Sequence, residues 1–438
     1  MKIRIGLFFA LASILVFSSC ATKSKAYIDI DAGVQRGSYD FVLASMNDEN
    51  GDLRKKVYTH RNEIMFYLDR GMVNHYAGYY EESSQDFQIA EQLIEEAFTK
   101  SMSAEVGSYL LNDNVKEYAG EDYEDLYVNV FNSLNYYHIR DIEGSLVEIR
   151  RLNEKLMYLA DKYERATQKA AKSNSQVNTA DLPMEASKYS NSALARYLGM
   201  LFFRAAGKMD DARIDFNELK RAFELAPEVY NHSIPSSVNS ELSIPKEKAR
   251  LNVLVFTGLS PVKEEENIII PLPLPFPNNT AKLALPKMVE RPSMIQSVEV
   301  VLNSGEKFRL EQIEDMGAVA RETFKSKRGL IIVKTTARSI AKAAVSATAA
   351  EVAARRGGGL LGLLVGAVGR IASDVSEQAD IRLSRFFPSR ALVGGITLDP
   401  GTYTVTVNYY GLGLAHSEQR ELNVRSNTLN LGQFFYLQ

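Results

Sequence analysis

From about Ile28 to Tyr230, apolar residues recur at three- and four-residue spacing, proline is absent until Pro183, and glycine is sparse. That pattern predicts helices throughout. Between Arg61 and Lys100 it divides into two stripes. Ile64, Tyr67, Leu68, Gly71, Met72 and His75 mark the first, and Phe87, Ala90, Leu93 and Ile94 the second, with a break at Gly78-Tyr79-Tyr80. Gly71, Gly78, Tyr80, Ser83, Phe87 and Ala90 follow the tetratricopeptide spacing, in which small residues let two helices approach and aromatics fill the gap. The consensus Trp and terminal Pro are missing, so the repeat is degenerate. A second unit fits Leu126 to Leu159, turning near Arg140-Asp141, and a third fits Ala193 to Pro227, turning at Gly207 to Ala212. These turns lie 63 and 66 residues apart, so no strict array of ~34-residue repeats runs through the region. The polar run Thr167 to Thr179 reads as a loop between hairpins.

Residues 231–250, punctuated by Pro235 and Pro245, read as a domain linker. Beyond it the period changes to two. Leu251 to Phe256, Ser297 to Val301, Tyr403 to Tyr409 and Gly432 to Leu437 read as strands, and Pro-rich Ile270 to Pro277 as an edge or extended loop. A helical insertion at about 314–377 interrupts this β domain. Its Ala-rich first helix ends at Gly357-Gly358-Gly359, and Leu360 to Ala372 follows with Gly362, Gly366 and Gly369. Ala337, Ala341, Ala344 and Thr348 on one helix and those glycines on the other make small-residue faces suited to close packing. The expected fold class is α+β and multidomain, with tetratricopeptide-like helical repeats at 28–230 and a β-sandwich-like domain at 251–438 bearing a helical hairpin.

The extreme N-terminus reads differently. Lys2 and Arg4 precede an apolar run, Ile5 to Phe17, and small Ser18 and Ser19 lead into Cys20, the only cysteine in 438 residues. This is the layout of an export signal at 1–19, and it resembles a lipobox whose cysteine becomes an acylated N-terminus. The alternative is an ordinary secreted chain with a chance cysteine. Removing residues 1–19 leaves 419, with residues 20–27 a lipidated tether. No Asp follows Cys20, which fits delivery to the outer membrane, on its periplasmic face. The remaining 49 basic residues against 54 acidic give a net charge near −5, against a general nucleic-acid binder.

No motif supports an enzyme. His60, His75, His138, His232 and His416 are scattered, no nucleophile elbow, phosphate loop or dinucleotide fingerprint occurs, and no metal or cofactor is implied. Two features invite partners instead. Tyr76, Tyr79, Tyr80, Tyr136 and Tyr137 either fill gaps between helices or line a face that holds an extended protein or peptide segment. Between Arg321 and Arg390, 13 basic residues face 5 acidic ones. That insertion is either a hairpin packed on the β domain or a device for membrane contact or self-association through Gly362, Gly366 and Gly369.

Several stretches together resemble a family of bacterial lipoproteins with a tetratricopeptide-type N-terminal half. They are Leu68 to Gly71 with Tyr80 to Ser83, Gly258 to Glu265, Ile270 to Pro273, Glu377 to Arg382, and Leu398 to Tyr403. The resemblance implies an architecture and an envelope location, and no enzymatic role. The expected function is a lipid-anchored periplasmic adaptor for a protein or peptide partner, with a self-assembling structural component as the alternative.

Overall fold

The computed structural model describes residues 27–103, 114, 116–172, 182, 184–271, 280–357 and 378–438. Cys20, the leader, most of the tether, and Gly362, Gly366 and Gly369 lie outside the described residues. The fold is a mixed α+β arrangement, helical first and then built on a sheet.

Helices α1 (27–35), α2 (Tyr39–Asn47) and α3 (Asp52–Lys56) precede three antiparallel helix pairs. These are α4 (Glu63–Ala77) with α5 (Tyr80–Ser103), α6 (Asp122–His138) with α7 (Ile142–Lys172), and α8 (Ala193–Ala205) with α9 (Met209–Leu225). Each pair turns through a left-handed residue: Gly78 (φ 84°), Arg140 (φ 68°) and Gly207 (φ 73°). Gly71 allows α4 and α5 to touch, because a Cβ there would stand 2.7 Å from the Phe87 ring. Ser83 Oγ donates to Gly71 O at 2.8 Å, and in the next pair Ser145 Oγ donates to Ser133 O at 2.9 Å; both spans are 12 residues.

The strands are β1 (Ala249–Thr257), β2 (Val262–Pro271), β3 (Thr280–Val289), β4 (Ser297–Leu302), β5 (Lys307–Asp315), β6 (Arg390–Leu398), β7 (Gly401–Tyr410), β8 (Leu414–Val424) and β9 (Asn430–Tyr436). Where the strand pattern suggests a two-sheet sandwich, seven strands instead form one sheet in the order β8-β7-β4-β5-β6-β1-β9, and β2 and β3 make a separate ribbon. The sheet curls around its own apolar filling of Val253, Val255, Val298, Val300, Val407 and Phe434. Its end strands approach, and Arg420 Nη1 on β8 donates to Gln433 O on β9 at 2.9 Å. β1 is buried along its whole length. Leu251, Val253 and Val255 face the curled interior while Leu254 and Phe256 face the helices, which explains its nearly unbroken apolar run.

The expected linker is a seam. Glu241 is fully buried between Arg204 of α8, at 2.5 Å, and Arg250 of β1, at 3.0 Å. One apolar core continues from Ile30 through the helix pairs to Leu437. The two halves therefore fold against each other, because the helices' inner faces and the outer face of β1, β6 and β9 each need a partner surface.

The insertion begins where expected, at α10 (Met316–Gly357), a single helix of 42 residues or about 63 Å. Its first half is core: Val319, Ala320, Phe324 and Val333 face the helix pairs and Ile332 packs under the ribbon. Among the described residues, part of the local basic excess is met by carboxylates from elsewhere. Arg321 pairs with Glu290, Lys325 with Glu185, Lys327 with Glu121, Arg328 with Glu266, and Arg385 with Asp31. Ala337 is buried.

Candidate functional site

The first helices of the three pairs present one continuous face, and this chain's own sheet covers it. Tyr76 is buried there, its OH donating to Phe386 O at 2.7 Å and its ring 4.8 Å from Phe435. Tyr137 OH accepts from Leu431 N at 3.1 Å. Tyr80 stacks on His138 with centroids 4.2 Å apart, and Tyr79 is exposed with its OH on Asp40. The five candidate tyrosines thus form no common surface. The rings turned inward meet β9 and the segment before β6, whose backbone carbonyls and amides satisfy their hydroxyls.

Tyr136 faces the other way, into a groove of about 1200 Å³ between α5 and α7 with α6 as its floor. Gln88 Nε2 donates to its hydroxyl at 3.1 Å. The floor is a charged lattice. Lys155 Nζ reaches Glu91 Oε1 and Asp125 Oδ1, each at 2.6 Å. Asn129 Nδ2 bridges Glu91 at 3.0 Å and Glu148 at 2.7 Å, and Arg151 Nη1 lies 3.2 Å from Glu148. Burial alone would lower the Lys155 pKa, but Asp125 and Glu91 outweigh it and hold the ammonium above its ordinary value. Burial would raise Glu91, but Lys155, with Asn129 and Arg151, more than reverses that. Burial does raise Glu148.

Around this lattice stand Glu95, Asp122, Asp141 and Glu154, so seven carboxylates face two cations, a net of −5. Apolar side chains alternate with the charges: Ile94 and Phe98 on the α5 wall, Leu126 in the α6 floor, and Val147, Tyr158 and Leu159 on the α7 wall, with Ile94, Leu126 and Leu159 largely buried. Val147 and Tyr158 are exposed. The volume exceeds the ~300–1,000 Å³ usual for small-molecule sites. Such a trough suits a chain segment offering cations beside an apolar side chain.

The lattice residues are missed by a search for catalytic motifs. Their trace in the sequence is a polar stripe, Glu148, Arg151 and Lys155, at three- and four-residue spacing on one helix. Two further clusters sit at the seam. Buried His75 lies between Asn135 and Gln433. Asp69 and Glu124 clasp the segment before β6: Asp69 accepts from Ser384 Oγ at 2.6 Å and Arg385 N at 2.7 Å, and Glu124 from Ser384 N at 2.7 Å. Lys263, within one of the stretches that carry the resemblance, donates to Arg382 O at 3.2 Å, within another.

Among the described residues, no group of three or more His, Cys, Asp or Glu side chains is arranged to hold a metal, and no helix is long and apolar enough to cross a membrane. No family model, curated protein or solved structure matches the chain.

Proposed function

We propose that the protein is a lipid-anchored adaptor of the bacterial envelope, held through acylated Cys20 at the periplasmic face of the outer membrane. Its groove between α5 and α7 takes a basic segment of a partner protein. The observation that carries this reading is the net −5 trough with apolar strips on both walls. Opposite charge steers such a segment in, and the strips reward an apolar side chain once it is seated. Tethering confines the search to the membrane plane and raises the effective concentration of partner.

The reading treats the helix pairs as degenerate tetratricopeptide-like repeats. Its support is the recurrence of the Ser83–Gly71 bond as Ser145–Ser133, and of Gly71 as Gly199, where a Cβ would run into Asp215. Since the sheet covers the first helices, the binding surface shifts to the second helices of neighbouring pairs.

The test is fluorescence anisotropy with labelled nonapeptides of equal length. A Lys/Arg-rich peptide with a central Leu is expected to bind, and its Asp/Glu counterpart is not. Equal binding of both removes the proposal. Mass spectrometry of the N-terminus tests the anchor, where an unmodified Cys20 would sink that part alone.

A further inference from the structure

The hairpin joining β7 to β8 ends in Tyr410-Gly411-Leu412-Gly413-Leu414. Leu412 is fully exposed, Leu414 is 61% exposed, and neighbouring Met294 is 67% exposed. The tip is built rather than loose. Gly411 N donates to Gly413 O at 2.9 Å, and Gln296 N to Tyr410 O at 2.8 Å. A Cβ on Gly411 would stand 2.5 Å from Met294 O, so glycine is what lets the tip close against the 293–296 segment. Behind the leucines lies an aromatic tier, with the His416 and Tyr436 rings stacked 4.9 Å apart and Tyr409 5.0 Å from Tyr436.

A short chain of contacts runs from this tip to the N-terminal helix. Ser293 Oγ donates to Gln438 O at 3.1 Å, and Gln438 Nε2 donates to Gln35 O at 3.2 Å. Gln35 ends α1, whose eight steps place Tyr27 about 12 Å away. The seven residues back to Cys20 reach at most about 25 Å. That reach allows a bilayer holding an acylated Cys20 to lie against the tip.

We infer that Leu412, Leu414 and Met294 form a membrane-resting finger that dips into the lipid interface beside the anchor and fixes how the protein stands on the membrane. Apolar side chains at the point with amphipathic rings one layer behind is the order of groups that a bilayer interface favours. The inference rests on the anchored reading, because the finger offers too little apolar surface to hold the protein by itself. It names a lipid surface, read by its acyl chains rather than its headgroup charge.

The chain contains no tryptophan, so Leu412→Trp supplies a sole indole reporter. Ile214→Trp, on exposed α9, is the control. Each full-length variant is reconstituted into phosphatidylcholine vesicles with brominated acyl chains, floated, and read by fluorescence. The expected result is co-flotation of both, with the indole at 412 blue-shifted and quenched several-fold more than that at 214. Flotation with equal quenching at the two sites overturns the finger and leaves the anchor standing. Failure of either variant to float overturns the anchored reading and the finger with it. A blue shift at 412 that follows protein concentration in the absence of vesicles assigns the tip to a second copy of the chain and likewise overturns the inference.

Discussion

His75 and Gln433 are 358 residues apart in sequence and 2.9 Å apart in the fold, Gln433 Nε2 donating to His75 Nε2. On its other side His75 Nδ1 donates to Asn135 Oδ1 at 2.6 Å, and Asn135 Nδ2 continues to Ser83 Oγ at 2.9 Å. Gln433 Oε1 in turn accepts from His138 Nε2 at 2.6 Å. Every group in this chain then has one assigned direction, with both imidazoles neutral. The network locks β9 in register against α4, α5 and α6.

Replacing Gln433 with Leu strands two imidazole nitrogens at once, one on buried His75 and one on part-buried His138. A cost of about 2–3 kcal/mol is expected from the unmet groups. Urea unfolding, with unchanged slope, measures it, and a loss under about 0.5 kcal/mol would mean the network adds little beyond packing.

The same histidine sets a pH response. Burial holds the His75 pKa down to about 3, against an ordinary 6.5. The unfolded chain therefore takes up a proton that the folded chain refuses. Its contribution to stability is complete above about 6.5 and declines as pH falls toward 3, by up to ~1.4 kcal/mol per pH unit. His75→Gln should flatten that decline relative to the wild type.

Much of the helical half was legible in the chain, because pairs with short turns are local events. The breaks at Gly78, Arg140-Asp141 and Gly207 fall where the apolar stripes change phase. The strands at Leu251 to Phe256 and Tyr403 to Tyr409 were legible from their own apolar and alternating runs, without their partners. What the pattern withheld is which faces meet. Tyr76 and Tyr137 look alike to a periodicity argument whether they face a peptide or β9, and the choice is made by residues 310 and 294 positions away. The single curled sheet was equally hidden, since alternation marks an inward face without saying whether it closes on a second sheet or on itself. The groove lattice was half visible, as a polar stripe on α7 whose partners Glu91 and Asp125 lie on other helices.

Asp69 and Glu124 respond to pH in the opposite sense. Burial pushes Asp69 up to about 6 and Glu124 to about 7, from 3.8 and 4.5. The folded chain keeps these protons to higher pH than the unfolded one. The pair therefore favours folding most at low pH, and that advantage is lost as pH rises through about 4 to 7. Asp69→Asn keeps an oxygen for Ser384 and Arg385 and an amide for Tyr58. Measured against wild type, it should gain relative stability as pH climbs from 4 to 7. A difference independent of pH would show that Asp69 does not titrate in that window.

Glu121 is the sole carboxylate that the buried Lys263 ammonium contacts directly among the described pairs, and Lys327 reaches it at 2.8 Å. Glu121→Gln strips the charge from between two lysines and should cost about 3–5 kcal/mol. Adding Lys263→Met and Lys327→Met should restore most of the loss, since the penalty lies in the stranded charges rather than in the absent pair. Thermal melts of the single and triple variants decide it: equal melting temperatures would mean the cost does not lie in the stranded ammonium groups.

The groove separates rim from floor. Glu95 and Glu154 are exposed on opposite walls, whereas Lys155 is held by Glu91 and Asp125 below them. Reversing both rim charges, Glu95→Lys with Glu154→Lys, should leave the melting temperature within a degree or two and weaken a Lys/Arg-rich peptide about tenfold, mainly through slower association. Raising the salt concentration should erase most of the difference between variant and wild type, because exposed charges are screened. Lys155→Met should do the reverse, lowering stability by leaving Glu91 and Asp125 uncompensated. If the rim double variant binds the basic peptide as tightly as wild type at low salt, the carboxylates do not recruit it, and the apolar strips alone would have to account for any binding.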